Sequence, residues 1–185
     1  ELGYTLKLLA IAKRDGLQVE TRVHPTFIPN DHPLANISGS FNAVFLHGHA
    51  CGEMMFMGRG AGDLPTASAI VSDLVRAASA QKHLYPTFDN EPNPAVGLQN
   101  NTNWKSAFYV RVLAQDRPGA LSHIAQTFAD HDVSIKAMQQ TDQRSGGHAT
   151  LVFITHKAAE AAMRQALAAL SPDVATVESL LRVEG

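Results

Sequence analysis

Cysteine is almost absent from this chain of 185 residues, which holds only Cys51. A single cysteine excludes an internal disulfide framework and fits a reducing, cytoplasmic compartment. The sequence also lacks a basic cluster and an apolar run of about 18 residues, the length that spans a membrane. Its formal net charge is −2. We therefore expect no nucleic-acid partner and no membrane association.

The remaining composition is that of a globular protein, with 45% hydrophobic residues and room for one domain or two small ones. The chain begins at Glu1 rather than at methionine, and an apolar strand follows almost at once. No signal-peptide pattern precedes that strand. We therefore expect the sequence to be a piece of a longer protein.

Short strands joined by tight turns dominate the first half of the chain, which favours a mostly antiparallel sheet. Asp15-Gly16 is a hairpin signal between the first two strands. A helical turn is expected at 34–37 and another hairpin turn at His47–His49. A helix from Pro65 to about Ala78 has apolar residues at helical spacing and is expected to cover one face of the sheet. The predicted strands span residues 6–12, 17–27, 41–46 and 50–57.

A glycine-rich turn, Gly58–Ser68, connects the last of these strands to the helix. Glycine at every second position permits positive φ and lets another molecule approach bare backbone. Pro65 suits the first turn of a helix, whose free N–H groups attract an anion. The spacing G-x-G-x-G differs from the dinucleotide-binding fingerprint G-x-G-x-x-G. A tight turn without a ligand therefore stays open as the alternative.

Residues 81–105 differ from their surroundings, because proline and asparagine are frequent and regular apolar positions are few. This composition predicts a linker. Three aromatic residues are expected to anchor it on the surface: Tyr85, Phe88 and Trp104.

The second half of the chain, from about Ala107, has the element order βαββαβ of a ferredoxin-like fold. Phe108, Val110 and Val112 alternate and should share the buried face of its first strand. The following helix buries Ile124 and Phe128. The remaining elements are expected at 133–139, 148–155, 157–170 and 174–183, with a hairpin loop at 143–147.

The turn Asp116–Gly119 precedes the first helix of this second half. Gly119 leaves the helix start free of a side chain, so the carboxylate of an amino acid has access to backbone N–H groups. Asp116 is placed to accept a hydrogen bond from the ammonium group. A plain helix start with Pro118 in its first turn and no ligand is the alternative.

Nine histidines suggest metal binding, but only His47 and His49 are close in sequence. No third ligand stands at a recognisable zinc spacing, so we expect a solvated turn and no metal site. His24 is expected to pack in a strand rather than to act as an acid or base. Lys7 is expected at a sheet edge or facing outward, since buried lysine is rare.

Several motifs of the first 78 residues, in this order, resemble bacterial homoserine dehydrogenase. They are Leu2–Ala12, Val23–Pro29, His32–Ala35, Phe41–Val44 and Gly60–Ser68. The resemblance implies reduction of aspartate-4-semialdehyde to homoserine with NADP or NAD, on the route to threonine, methionine and isoleucine. It places Gly60, Ala61, Gly62 and Thr66 at the cofactor cleft. The family's catalytic lysine and nucleotide-binding fold would lie upstream of Glu1, so this segment alone is expected to be inactive.

The second half resembles an ACT domain, a small regulatory module that pairs through its sheet and often binds an amino acid. Tyr109–Val112, Asp116–Leu121 and Val133–Ile135 carry the resemblance. It implies L-threonine as the effector, a homodimer or larger oligomer, and a binding site between two modules. The effector-binding residues it implies are Asp116, Pro118, Gly119, Ala120, Leu121, Ser134 and Ile135.

The two resemblances together divide the chain into residues 1–80 of a catalytic and dimerisation domain, a linker at 81–106 and an ACT domain at 107–185. The expected fold class is α+β. The alternative from another functional class is a non-catalytic module that senses an amino acid and dimerises.

Overall fold

The structure, a computed structural model, describes residues 2–79, 99–144 and 147–185, with the backbone alone for 141–144. These residues form two compact units. One unit contains the described residues of Glu1–Pro29 and Leu98–Gly185, and the second those of Asn30–Gly97. The elements are β1 (Tyr4–Asp15), β2 (Gln18–Pro29), a 3₁₀ helix (Pro33–Asn36), β3 (Phe41–Gly48), β4 (Gly52–Arg59), α1 (Asp63–Ser79), β5 (Gln99–Asn100), β6 (Lys105–Gln115), α2 (Ala120–Asp130), β7 (Ile135–Arg144), β8 (His148–Thr155), β9 (Ala158–Ala159), α3 (Glu160–Ala169) and β10 (Ala175–Val183).

The predicted α+β class and the ferredoxin-like order are confirmed by the run from β6 to β10, with α2 and α3 between its strands. Phe108, Val110 and Val112 have no exposed surface, as their alternation predicts. Phe128 of α2 packs edge-on against Phe153 of β8, with ring centroids 5.5 Å apart. Burial of these large apolar side chains is the main source of stability of this half of the chain.

The β1–β2 hairpin belongs to the same sheet as the ferredoxin-like strands, in the order β1-β2-β10-β6-β8-β7. The predicted turn at Asp15-Gly16 is confirmed, with Gly16 at a φ of +57°. β2 and β10 pair in parallel through only two residue pairs, and the Glu184 N–H then donates to the Phe27 carbonyl at 2.9 Å. The sequence predicts one sheet for the first half of the chain and another for the second half. The structure instead pairs β1 and β2 with the ferredoxin-like strands and leaves β3 and β4 as a separate two-stranded sheet. The linear domain boundaries themselves stay a prediction.

A buried arginine and its charged neighbours lie where the hairpin meets β10. The Arg22 side chain is 5% exposed, and its guanidinium pairs with Glu20 at 2.9 Å and with Glu184. Lys13 pairs with the other Glu184 oxygen at 2.8 Å. Trp104 lies under the guanidinium, 4.2 Å from its carbon to the ring centroid. We call Arg22, Glu20, Glu184, Lys13 and Trp104 the hairpin joint.

Trp104 is thereby confirmed as an anchor of the segment that contains it. The other predicted anchors, Tyr85 and Phe88, lie outside the described residues, as does most of the predicted linker. His24 is confirmed as a packed strand histidine, because its ring stacks on Trp104 and its Nδ1 lies 2.9 Å from the Thr26 hydroxyl. Lys7 lies in β1, an edge strand of the sheet, as expected.

The second unit contains the β3–β4 hairpin, which pairs from Phe41 with Arg59 to Gly48 with Gly52. The predicted turn at His47–His49 is therefore wrong. Both strands run further, and the connection consists of His49–Cys51. Gly52, at a φ of +69°, supplies the left-handed residue that follows a loop of this length. Gly48 adopts an extended conformation within the strand and does not mark the turn.

Helix α1 forms with the expected apolar spacing, but none of its residues is buried. Ile70, Val71, Leu74 and Val75 are each more than half exposed. The expected packing of this helix on the sheet is therefore not seen among the described residues. The described helices include none that is both long and apolar enough to cross a bilayer.

The hairpin joint generates a stability prediction. Arg22→Ala removes one partner of a buried ion pair and leaves two carboxylates beside each other, so we expect a loss of about 3 kcal/mol in the free energy of unfolding. Urea unfolding followed by the fluorescence of Trp104, the one tryptophan of the chain, measures this loss. The matched control is Arg14→Ala, because the Arg14 side chain is exposed, donates to the Gly16 carbonyl and forms no ion pair with any other described residue. Equal stability of both variants would contradict the prediction.

A second prediction concerns His24. Burial lowers the pKa of its imidazole below the ordinary value of 6.5, and the nearby Arg182 and Arg22 act in the same direction, against a hydrogen bond to the Pro25 carbonyl. The unfolded chain consequently binds the proton more tightly, and the contribution of His24 to stability falls as the pH drops below about 6.5. An NMR titration of the folded chain should give a His24 pKa below 6.5. A value at or above 6.5 would refute this prediction.

Candidate functional sites

In the glycine-rich turn between β4 and α1, the local packing or backbone conformation requires glycine at two positions. A Cβ on Gly60 would lie 1.7 Å from Asn42 Nδ2, and the Gly60 N–H donates to the Ser40 carbonyl at 2.9 Å. Gly62 has a φ of +129°, which side-chain-bearing residues rarely adopt. Gly58 meets no described atom within 4 Å of such a Cβ. The turn is therefore tight in its own right and also leaves backbone accessible at Gly62.

The helix that follows begins at Asp63, two residues before the expected Pro65. The carboxylate of Asp63 lies in the first turn, where it stabilises the positive end of the helix dipole. The Thr66 N–H donates to the Gly62 carbonyl at 3.0 Å. A phosphate at this helix end would meet the Asp63 charge, so electrostatics oppose direct anion binding there. Close approach of a neutral group to Gly62 is compatible with the geometry.

The second candidate site is the turn before α2. Gly119 caps the helix at a φ of +90°, and the position of its missing Cβ faces open space. The Ala120 N–H already donates to the Arg117 carbonyl at 3.2 Å. Among the described residues, no backbone carbonyl accepts a hydrogen bond from the N–H groups of Leu121 and Ser122. The donors open to a ligand therefore lie one and two residues beyond Ala120.

Ser134 and Ile135, predicted at the same site, lie at the other end of the sheet. Ile135 pairs with Thr155 at the end of β8, whereas the Asp116 turn is level with its start at His148. Seven residues of extended strand separate the two levels, or about 23 Å. Within one copy of the chain, the structure does not bring the predicted effector residues together. Only the turn residues form a local group.

The predicted histidine pair is split by the strand geometry. His47 lies in β3, with its Nδ1 3.9 Å from Glu53 Oε1 and most of its side chain exposed. His49 lies in the turn that follows. No group of three potential metal ligands occurs within the ranges that the structure covers.

A cleft of about 370 Å³ lies at the end of the sheet near Ile135, and sequence reasoning did not identify it. Lys136 and Lys157 line it together with Tyr4 of the hairpin. A register shift in β7 falls at Lys136, which simple strand alternation does not reveal. The cleft also requires the pairing of the β1–β2 hairpin with β10, and no local pattern in the sequence predicts that pairing.

Comparison with known proteins identifies both halves. The family described as Homoserine dehydrogenase matches residues 1–75, and the ACT domain family matches residues 108–172. A homoserine dehydrogenase of Bacillus subtilis is 40% identical over all of this chain, which covers 43% of that protein. One of Neisseria gonorrhoeae is 39% identical over 92% of the chain and 40% of its own length.

Solved structures agree with the sequence matches. A crystal structure of a homoserine dehydrogenase from Thiobacillus denitrificans superposes with a TM-score of 0.83 at 35% identity, over 99% of this chain and 43% of that one. One from S. aureus gives a TM-score of 0.61 at 26% identity, over all of this chain and 42% of that one. The chain thus spans about two fifths of the length of these relatives. Its first 75 residues match the homoserine dehydrogenase family, and its second half matches the ACT domain family.

Proposed function

We propose that the chain acts as the C-terminal part of an NAD(P)-dependent homoserine dehydrogenase, whose substrates are aspartate-4-semialdehyde and L-homoserine, and that its ACT domain responds to L-threonine. The observation that carries this proposal is similarity to homoserine dehydrogenases along the whole chain, through both the catalytic-domain segment and the ACT domain. The compartment that fits this activity and the single cysteine is the cytoplasm.

The nicotinamide cofactor, NADP or NAD, supplies the hydride when it is bound. This chain's contribution is the backbone of Gly60, Ala61 and Gly62 with the Thr66 side chain at the start of α1. Gly62 offers bare backbone in a conformation closed to most other residues, which suits close contact with a ring edge. The Asp63 carboxylate next to it disfavours the pyrophosphate end of the cofactor. The reacting groups would come from residues outside this chain, so the segment alone should lack turnover.

The effector site proposed for L-threonine is the turn Asp116–Leu121. The carboxylate of the amino acid would accept from the Leu121 and Ser122 N–H groups, next to the open position at Gly119. Its ammonium group would approach Asp116. Pro118 keeps the turn rigid, and the Ala120 N–H serves the internal hydrogen bond instead of the ligand.

A second copy of the chain would complete this site. β7 is an edge strand of the sheet, and an exposed edge favours pairing with another chain. If two β7 strands pair antiparallel about a two-fold axis, Ser134 and Ile135 of the partner subunit approach the end of the sheet that holds the Asp116 turn. This arrangement brings together residues that lie about 23 Å apart in one copy. It makes a homodimer or larger oligomer part of the regulatory mechanism.

A non-catalytic module for amino-acid sensing and dimerisation is the second candidate. It is favoured by the local reasons for Gly60 and Gly62, which account for both glycines without a cofactor. The two candidate functions share the effector site. They differ in whether the glycine-rich turn contacts a cofactor.

Gly119→Asp tests the proposed function in the intact protein that contains this chain. The new carboxylate would occupy the place of the effector's own carboxylate, so the threonine concentration for half-inhibition should rise at least tenfold. Homoserine oxidation without threonine should persist, because the proposed chemistry lies outside the ACT domain. Gly119→Ala is the matched control, since it brings the same backbone strain at a φ of +90° without the charge.

Steady-state kinetics with NAD and NADP, with and without threonine, measure both effects. Absence of homoserine oxidation in the intact wild-type protein would refute the proposed dehydrogenase activity. The non-catalytic sensing module would then be the remaining candidate function. Equal threonine inhibition in the wild type and in Gly119→Asp would remove the effector from this turn.

A further inference from the structure

We propose that the cleft lined by Lys136, Lys157 and Tyr4 is a binding site for a small organic dianion, separate from the effector turn. Its volume of about 370 Å³ falls within the usual range for small-molecule sites. The cleft lies at the Ile135 end of the sheet, whereas the Asp116 turn lies at the opposite end. This inference does not rest on the proposed dehydrogenase activity.

Charge is the first argument for an anionic ligand. Lys136 and Lys157 reach the cleft from β7 and from the segment after β8, and neither forms an ion pair with any residue the structure describes. His156 stands beside them on the cleft wall. Two lysines on the wall of one cleft repel each other when their ammonium groups approach, and a dianion bound between them would remove that repulsion.

The acidic side chain of the cleft is already neutralised. Glu184 directs one carboxylate oxygen to Arg22 and the other to Lys13, which lies 2.8 Å away. Ser106 adds a hydroxyl donor at 3.4 Å to the oxygen that faces Arg22. Because the hairpin joint holds Glu184 in this way, its charge is unavailable to Lys136 and Lys157. Among the described residues, no acidic side chain of the cleft therefore forms an ion pair with Lys136 or Lys157.

The apolar residues of the cleft walls indicate the uncharged portion of the ligand. Ile154 and Val183 present apolar surface and are only 5% and 7% exposed, and Tyr4 contributes an aromatic ring and a hydroxyl group. A charged ligand with a short apolar portion matches these walls better than an inorganic ion does. The chemical class is a dicarboxylate or a phosphate monoester with a small carbon skeleton.

The joined sheet creates this cleft. Tyr4 and Pro29 come from the β1–β2 hairpin, whereas Lys136, Ile154 and Lys157 come from the ferredoxin-like half. Pro29 is also the last residue of the first compact unit before the chain continues into the second. A ligand in the cleft would therefore touch both the ACT strands and the residue from which the chain leaves them.

Isothermal titration calorimetry of the intact protein with succinate and with phenyl phosphate tests the proposal. We expect saturable binding of at least one probe, with affinity at least tenfold lower in the Lys136→Gln/Lys157→Gln double variant. Both lysines are exposed, so the double variant should fold. Lys105→Gln is the matched control, because Lys105 is also exposed and does not line the cleft.

Each result decides the matter. Binding of succinate alone identifies a dicarboxylate site, binding of phenyl phosphate alone identifies a phosphate-monoester site, and binding of both establishes the shared dianion chemistry. No saturable heat with either probe would overturn the proposal. So would equal affinities in the wild type and the double variant. Because the readout is heat of binding, it is independent of homoserine turnover.

Discussion

The ion pair between Arg22 and Glu184 is the contact on which the first compact unit depends. The hairpin and β10 share only two paired residues, so backbone hydrogen bonding alone attaches them weakly. An arginine side chain that is only 5% exposed is costly to bury unless its charge is paired. Here Glu184 and Glu20 pair with the guanidinium, and Trp104 covers its face. The contact therefore fixes the position of the hairpin as well as joining it.

That attachment has two consequences within the eight-stranded sheet. It occupies Glu184, so among the described residues this carboxylate pairs with Arg22 and Lys13 rather than with Lys136 or Lys157 of the neighbouring cleft. It also makes the hairpin of the catalytic-family segment continuous with the ACT strands. A ligand that shifts the ACT strands would act on a strand of the other segment directly, since the two pair in one sheet. The homology boundary and the structural boundary thus fall at different places in the chain.

The second unit shows a different constraint. Val44, Phe56, Leu64 and Leu74 are between 57% and 83% exposed, which is unusual for large apolar side chains so near each other in sequence. Val44 and Phe56 lie opposite each other in the β3–β4 pair, and exposed apolar surface of this kind is typical of a contact surface. The helical period of α1 predicts which residues are apolar, but the period alone does not tell which surface they pack against.

Local patterns in the sequence predicted much of the fold, because alternation and turn chemistry act over a few residues. Phe108, Val110 and Val112 showed the buried face of β6, and Asp15-Gly16 showed the first hairpin. The second hairpin turn was misplaced because Gly48 and Gly52 are equally plausible turn residues until strand register is known. The Arg22–Glu184 contact spans 162 residues, and no local pattern signals it. The turn Asp116–Gly119 is recognisable from its motif, whereas its distance from Ser134 follows only from the strand register.

Native-state amide hydrogen exchange tests most directly whether the hairpin and the ACT strands form one cooperative sheet. Amides in one cooperative unit share an opening free energy. The Glu184 amide, which donates to Phe27, and the amides of β2 that pair with β1 should exchange with the same opening free energy as those of β6. Exchange of the β2 amides at a clearly lower opening free energy than those of β6 would show that the hairpin opens by itself, and would contradict the account.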